Sequence, residues 1–491
     1  MKSPKADMPN HPSSLPVISG KDSVEFYLNK AILCLILFLL FFIPLFLIPG
    51  ILTYNTVIHV KDLLLGFTSS TAAVLCILRI LLFPLSFPIR KDPVRLLMIL
   101  FAVIIGVSSL LGGKVLYSLR QALYIWPLIV LFLTLPEVAG NKKTGSKTTP
   151  APYEFLFRNL EKIRLTILCA GFLTALYGLC QYIGVDFLRR WFPYDLKDNL
   201  ARNNILSTIG NPEYLGSYLA PLVFLAFPSL WIKGGMKSRI LPGMAILIYL
   251  SALILTGSRG AMISLGGGGL LILTYFFRRA SRPVRYKVLF SLGLFLLFIL
   301  AFMIIFSFPN PLNRHNHAIL FRFKELFNIR SDSIKERILF YSIGAEMITD
   351  RPLFGIGEGM FRIKFFSTLR DLSVKDPRAG VLRFIAELKN RVADNAHNDF
   401  LQIWIENGTI GILAFTLALA FLLGETLSLL LKGNIPEEKS LVLLSFAAAS
   451  LCLLVNASFS FPMHTADRAI LLWCVLGSAH TACLTLREMA S

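Results

Sequence analysis

The stretch AILCLILFLLFFIPLFLIPGILTY, residues 31–54, contains 24 residues and no charged side chain. An α-helix rises 1.5 Å per residue, so about 20 residues are enough to cross the roughly 30 Å hydrocarbon core of a bilayer. This stretch therefore predicts a membrane-spanning helix. It is too long for a signal peptide and has no A-x-A cleavage site, so we expect it to stay attached to the chain.

Comparable apolar stretches recur along all 491 residues, which are 55% hydrophobic with a mean hydropathy of +0.66. A soluble chain is less apolar than this. The sequence predicts an all-α integral membrane protein with about 12 transmembrane helices. We place the spans at 31–54, 62–83, 94–113, 117–135, 163–185, 214–231, 240–256, 260–277, 286–308, 409–431, 441–459 and 469–486.

The spans divide the chain into four expected regions. Residues 1–29 are expected to form a disordered cytoplasmic tail, and residues 30–308 hold transmembrane helices 1–9. Residues 309–398 are expected to form a large helical loop outside the cytoplasm between helices 9 and 10. Residues 399–491 hold helices 10–12.

Basic residues fall in every second short loop, for example Arg90 and Lys91, Lys142 and Lys143, and the segment 278–287. Because Lys and Arg accumulate in cytoplasmic loops, both termini are predicted to be cytoplasmic. The net charge of +20 is explained mostly by this pattern, so no nucleic-acid partner is expected. The seven cysteines all fall within predicted spans and suit packing better than disulfides.

The segment DNAHNDFLQIWIENGTIG, residues 394–411, carries the candidate catalytic residue. An unperturbed imidazole titrates near neutrality, so His397 suits a general base, and Asp394 and Asp399 are close enough in sequence to orient it. A histidine at a membrane interface equally serves as a helix cap. Asp399 and Glu406 are predicted to share one face of a short helix that breaks at Asn407-Gly408.

Two arginines on the predicted outer side are candidates for binding phosphate, because a guanidinium binds phosphate oxygens with two parallel hydrogen bonds. Arg259 lies in the tight turn between spans seven and eight, and Arg202 precedes a Gly-Asn-Pro turn. Either one could instead be an interfacial or surface charge. Arg120, near the outer end of span four, could also reach this region. The sequence shows no dense outer carboxylate cluster, so no metal and no other cofactor are expected.

Four segments follow one another along the chain and are all expected on the outer side of the membrane. They are Gly210-Asn211-Pro212, Ser258-Arg259-Gly260, Arg337 through DRPLFGIGEGMF, and HNDFLQIWIENGTIG. Together with the twelve-span layout they resemble the O-antigen ligase and polymerase superfamily of membrane glycosyltransferases (Wzy_C type). The resemblance implies a GT-C-like fold, a polyprenyl-diphosphate-linked glycan as donor and no metal. It also implies functional roles for Arg259 and His397. The remaining arginine role is assigned to Arg202, with Arg189 and Arg190 in the same loop as alternatives, and Arg337 and Asn398 are expected to support the site.

The resemblance further implies a bacterial inner membrane location with the active site in the periplasm, where the outer loops would lie. The favoured reading is an O-antigen ligase that joins O-antigen to lipid A-core in lipopolysaccharide biosynthesis. An O-antigen polymerase or a protein oligosaccharyltransferase would share the donor, the leaving group and the base. A twelve-span secondary transporter is the alternative from another class, although transporters place polar groups and broken helices near the membrane midplane.

Overall fold

The fold was analysed on a computed structural model of the chain. The described residues are 20–46, 54–140, 152–186, 205–231, 235–279, 281–305, 308, 332–375, 393–432 and 435–490.

Within these residues the secondary structure is helical, and no strand occurs. Fourteen helices have 15 residues or more. In chain order they are α1 (Gly20–Leu45), α2 (Tyr54–Leu82), α3 (Pro93–Leu111), α4 (Val115–Ala139), α5 (Pro152–Tyr182), α6 (Pro212–Ala226), α7 (Met236–Thr256), α8 (Arg259–Arg279), α9 (Arg282–Ile305), α10 (Asp332–Asp350), α11 (Met360–Lys375), α12 (Asp399–Lys432), α13 (Glu437–Ala457) and α14 (Ala466–Ala490).

Eleven helical segments in the described part of the chain are long and apolar enough to cross a membrane. They correspond to predicted spans one to eight and ten to twelve, so the all-α integral membrane fold is confirmed. The ninth predicted span, 286–308, overlaps α9, which is not among the eleven. Helix α1 begins at Gly20, so residues 20–29, which were expected to belong to a disordered tail, are helical.

A network of buried charges joins α2, α3, α4 and α14 at the end of the bundle that the basic loops assign to the cytoplasm. The Arg95 guanidinium lies 2.7 Å from the Asp92 carboxylate and 3.3 Å from that of Glu137. Arg79 lies 3.6 Å from Glu137, and His480 contacts Asp92 at 2.9 Å. Buried charges are tolerated when each is paired in this way. The pairing indicates a structural role for these residues.

At the opposite end, the glycine-rich loop 351–359 lies against a break in α12. Gly408 interrupts the helix with φ 68° and ψ −173°, which confirms the predicted break before the tenth span. The amide of Thr409 donates to the Pro352 carbonyl at 2.8 Å. The Gly357 amide donates to the Glu406 carbonyl at 3.0 Å. The break thus leaves backbone groups of α12 available to hold the loop.

This docking requires glycine at position 355. Its φ of 74° lies in the left-handed region, and a Cβ there would approach the Glu406 carbonyl oxygen to 2.4 Å. Residues other than glycine pay a steric penalty at such a φ, and here the obstacle is backbone that cannot rotate away. The sequence shows the glycines but not what they pack against.

We predict that Gly355→Ala lowers the stability of the folded protein by several kcal/mol, because it adds both backbone strain and a backbone overlap (roughly 2–4 kcal/mol). The measurement is the Tm of the purified protein in detergent. Gly269→Ala is the matched control, since a Cβ at Gly269, within α8, meets nothing within 4 Å. Equal Tm values for the two variants would show that the loop is not held against α12.

Candidate functional site

Five segments meet at the end of the bundle where the glycine-rich loop docks. They are that loop, the segment 393–399 before α12, the start of α6, the turn between α7 and α8, and the connection 458–465 between α13 and α14. Ring and backbone contacts described below join each one to its neighbours. We call this region the polar end.

His397 lies between two aromatic rings at the polar end. Its imidazole stacks on Phe340 of α10 at a centroid distance of 5.6 Å and meets the edge of Phe461 at 4.8 Å. Its backbone has a φ of 53°, which is unusual for a residue other than glycine. Strained backbone of this kind concentrates at functional positions, so the conformation supports a role beyond capping.

The electrostatic surroundings make the His397 imidazole a neutral group. Burial, followed by the positive charges of Arg337 and Arg468, lowers its pKa from 6.5 to about 4. Both effects disfavour the imidazolium form. At neutral pH the ring is therefore unprotonated and able to accept a proton.

The carboxylates expected to orient His397 lie elsewhere. Asp399 accepts a hydrogen bond from the backbone amide of Met463 at 3.0 Å and contacts His464 Nδ1 at 2.9 Å. Asp394 is exposed and pairs with Arg362 at 3.1 Å. Among the described residues, neither carboxylate bonds to the His397 ring. The expectation that Asp399 orients His397 is corrected, because the carboxylate points toward the α13–α14 connection.

Asn398 caps α12, since its side-chain oxygen accepts from the amide of Leu401 at 3.1 Å. The first turns of α12 then present the predicted polar face. The Gln402 amide donates to Glu406 Oε1 at 2.7 Å, while its oxygen accepts from the amide of Ala396 at 2.7 Å. These bonds fix the segment that carries His397 to the body of α12.

Glu406 belongs to a buried group of three ionisable side chains with Glu358 and His464. Their ligand-capable atoms lie within 4.8 Å of one another. Burial raises the pKa of Glu358, against the opposing effect of its hydrogen bond from Asn407. Burial alone would lower the pKa of His464, but the hydrogen bond and charge of Asp399, with Glu406 and Glu358, raise it to about 9.

This group is the place where the described residues could hold a cation. Two carboxylates and an imidazole are suitable ligands in kind. However, Glu406 already accepts hydrogen bonds from Gln402 and from the amide of Phe361, and His464 is committed to Asp399. The sequence did not predict this group, because its members come from three separate segments.

The turn that carries Arg259 is built to pack closely. Gly257 follows the last residue of α7 with φ 64°, and Ser258 Oγ accepts from the amide of Ala261 at 3.4 Å, so Ser258 caps the start of α8. A Cβ at Gly260 would lie 3.4 Å from the Cβ of Phe459 and 3.5 Å from Asn456 Nδ2. Arg259, the first residue of α8, is thus placed beside the same α13–α14 connection that contacts His397.

The other predicted arginines are placed differently. Arg337 of α10 lies 3.5 Å from Glu213 at the start of α6, and it is one of the charges that act on His397. Arg120 is exposed on α4; its neighbour Gln121 packs against Gly359 of the loop. Arg202 lies outside the described residues, so its proposed role remains a prediction.

Arg468 is a functional candidate that the sequence reasoning missed. It is fully buried, and its guanidinium carbon lies 3.8 Å from the ring centre of Tyr214 and 5.3 Å from that of Phe461. The available signal was an arginine at the start of the last span, which is the same placement that singled out Arg259.

The fold and the polar end define a multi-pass membrane protein with arginine, histidine and carboxyl groups gathered at one end of its helix bundle. A sequence model of the family described as O-Antigen ligase (Wzy_C) matches residues 244–416, which confirms the resemblance to the O-antigen ligase and polymerase superfamily. The match includes Arg259, Arg337, the glycine-rich loop and His397, and it stops before His464 and Arg468. No curated protein matches the chain.

Proposed function

We propose that this protein is a metal-independent GT-C-type glycosyltransferase that transfers a polyprenyl-diphosphate-linked glycan to an acceptor hydroxyl. The observation that carries the proposal is the neutral His397 imidazole beside Arg337 and Arg468 at one end of a membrane bundle. The match to the O-antigen ligase family supports the same chemistry.

In this proposal the acceptor hydroxyl gives its proton to His397 as its oxygen attacks the anomeric carbon. The bond from that carbon to the diphosphate oxygen breaks, and the polyprenyl diphosphate leaves with the electron pair. Arg259 and Arg202 bind the diphosphate and stabilise the negative charge that develops on it. Arg337 supports the site by adding to the positive potential around it, and Asn398 and Glu406 hold the first turns of α12 in place.

The acceptor that we favour is lipid A-core, which makes the protein an O-antigen ligase in the bacterial inner membrane with its active site on the periplasmic side. A polymerase or a protein oligosaccharyltransferase of the same superfamily would use the same groups. A transporter is less well supported, because Arg79, Arg95 and Glu137, which are buried charges of α2, α3 and α4, are paired in the structural network at the other end of the bundle.

The lipopolysaccharide banding pattern of a deletion strain tests the choice of acceptor. Loss of a ligase leaves free core together with full-length lipid-linked polymer, so we expect no long-chain bands attached to core. Core that carries a single repeat would indicate a polymerase instead. A wild-type pattern would remove the protein from this process.

His397→Ala should lower single-turnover glycan transfer by about 10²- to 10⁴-fold while leaving donor binding nearly unchanged, because it removes only the base. Arg259→Lys should weaken both donor binding and transfer, since lysine keeps the charge but loses the two-pronged contact. His59→Ala is the matched control, as His59 is exposed on α2.

If His397→Ala transfers glycan at the control rate, His397 is only a structural residue.

The same transfer assay in EDTA tests whether the reaction requires a metal. We expect wild-type activity to persist, and a complete loss that Mg²⁺ restores would contradict the metal-independent mechanism.

The acid side of the pH profile should depend on whether donor is bound. In the free protein the pKa of His397 is about 4, so kcat/KM should fall only as the pH drops through that region. Bound diphosphate places negative charge near the arginines that depress this pKa, so the acid limb of kcat should lie at higher pH. If the acid limbs of kcat and kcat/KM fall at the same pH, His397 is not the base. The same conclusion follows if the acid limb of kcat/KM persists in His397→Ala.

A further inference from the structure

The guanidinium of Arg468 has an unfilled hydrogen-bonding position. Its Nε donates to Thr465 Oγ1 at 2.7 Å and its Nη1 donates to Ser460 Oγ at 3.0 Å. Its Nη2 is buried and has no hydrogen-bond partner among the described residues. A buried donor left unsatisfied is costly, and for a charged group the cost is larger.

Its charge is also uncompensated. Among the described residues no carboxylate lies within 4.0 Å of the guanidinium, although Arg468 is fully buried. The adjacent Asp467 accepts from the backbone amide of Arg468 rather than from its side chain. Buried arginines are normally paired with an anion, as Arg95 is with Asp92 and Glu137. Arg468 differs in having only hydroxyls and aromatic rings.

A second unsatisfied donor lies at the end of α13, just before the α13–α14 connection. Asn456 Nδ2 is buried without a partner among the described residues, while its Oδ1 accepts from Ser217 at 2.6 Å. This nitrogen faces the first turn of α8, where Gly260 follows Arg259. Ser460, which accepts from Arg468, lies four residues after Asn456, beyond the end of α13. Asn456 Nδ2 is therefore a second open donor, and it lies beside the Arg259 turn.

The same guanidinium adjoins the proposed base. Phe461 lies between them, with its ring centre 4.8 Å from that of His397 and 5.3 Å from the Arg468 guanidinium carbon. The positive charge of Arg468 is one of the causes of the lowered His397 pKa. An anion placed at the open donors would thus lie within reach of the reacting groups.

We infer that Arg468, with Asn456, binds phosphoryl oxygens of a membrane-anchored prenyl diphosphate. The inference rests on the proposed function, since it identifies a further site for the diphosphate of the donor. An oxyanion satisfies Nη2, satisfies Asn456 Nδ2 and compensates the buried charge at once. Lipid headgroup phosphate carries the same oxygens, but the position beside His397 favours the diphosphate.

The test is direct binding of farnesyl diphosphate to the purified full-length protein in detergent, measured by calorimetry and by thermal shift. Arg468→Met should weaken binding by about 10- to 100-fold, because a charge-assisted hydrogen bond and an ionic contact are lost. Asn456→Ala should cause a smaller loss. Arg487→Met on the same helix is the matched control, because Arg487 is half exposed and pairs with Glu425 at 3.0 Å.

The thermal stability of the free protein separates binding from structure. If the charge awaits an anion, Arg468→Met should leave Tm unchanged or raise it, since replacing an uncompensated buried ion by an apolar side chain relieves the desolvation cost. A lower Tm with unchanged affinity for farnesyl diphosphate would overturn the inference. Should Arg468→Met fail to fold, Arg468→Lys decides: weaker binding supports the site, and wild-type binding overturns it.

Two further measurements separate prenyl diphosphate from lipid phosphate as the ligand, and the Arg468 site from the proposed glycosyltransferase function. Phosphatidylglycerol in nanodiscs should not displace farnesyl diphosphate; equal competition would overturn the assignment to diphosphate. If farnesyl diphosphate binds through Arg468 but membranes transfer no glycan, the proposed function fails and the site stands. If transfer is normal and Arg468→Met keeps the wild-type KM for donor, the site fails and the proposed function stands.

Discussion

The docking of the glycine-rich loop onto the broken helix α12 is the contact on which the polar end depends. The break at Gly408 exposes backbone carbonyls and amides that would otherwise be used inside the helix, and the loop 351–359 satisfies them. Buried backbone groups need hydrogen-bond partners, so the loop and the break stabilise each other. The same docking carries Glu358 to Asn407, where their side chains bond at 3.0 Å.

The buried carboxylate of Asp399 also helps to position His397. Asp399 is tied to His464 and to the Met463 amide, so the start of α12 is fixed to the α13–α14 connection. Phe461 in that connection contacts the His397 ring and lies near the guanidinium of Arg468. The buried group of Glu358, Glu406 and His464 therefore acts on His397 through the backbone and through aromatic packing. His464 is paired with Asp399, whereas Arg468 has no carboxylate within 4.0 Å among the described residues.

Much of this arrangement could be predicted from the sequence. Apolar length gave the spans, Asn407-Gly408 gave the break, and the order of motifs pointed to Arg259 and His397. These signals are local or depend on order along the chain. The pairing of Asp399 with His464 joins residues 65 positions apart, and no periodicity encodes it. The sequence also could not show that Arg468 lacks a carboxylate partner, because burial and the direction of each guanidinium nitrogen depend on how α6, α13 and α14 pack.

The lowered pKa of His397 is best understood from its burial together with the two nearby arginines, Arg337 and Arg468. A base with a pKa near 4 is weak for a hydroxyl acceptor, and the positive charges of Arg337 and Arg468 are among the causes. An anionic donor that pairs with those arginines reduces their effect on the imidazole, so the base strengthens when the leaving group is in place. In the proposed reaction, donor binding and proton acceptance are therefore coupled through electrostatics. The coupling requires no conformational change, because the ring contacts of Phe461 already hold the histidine and one arginine close together.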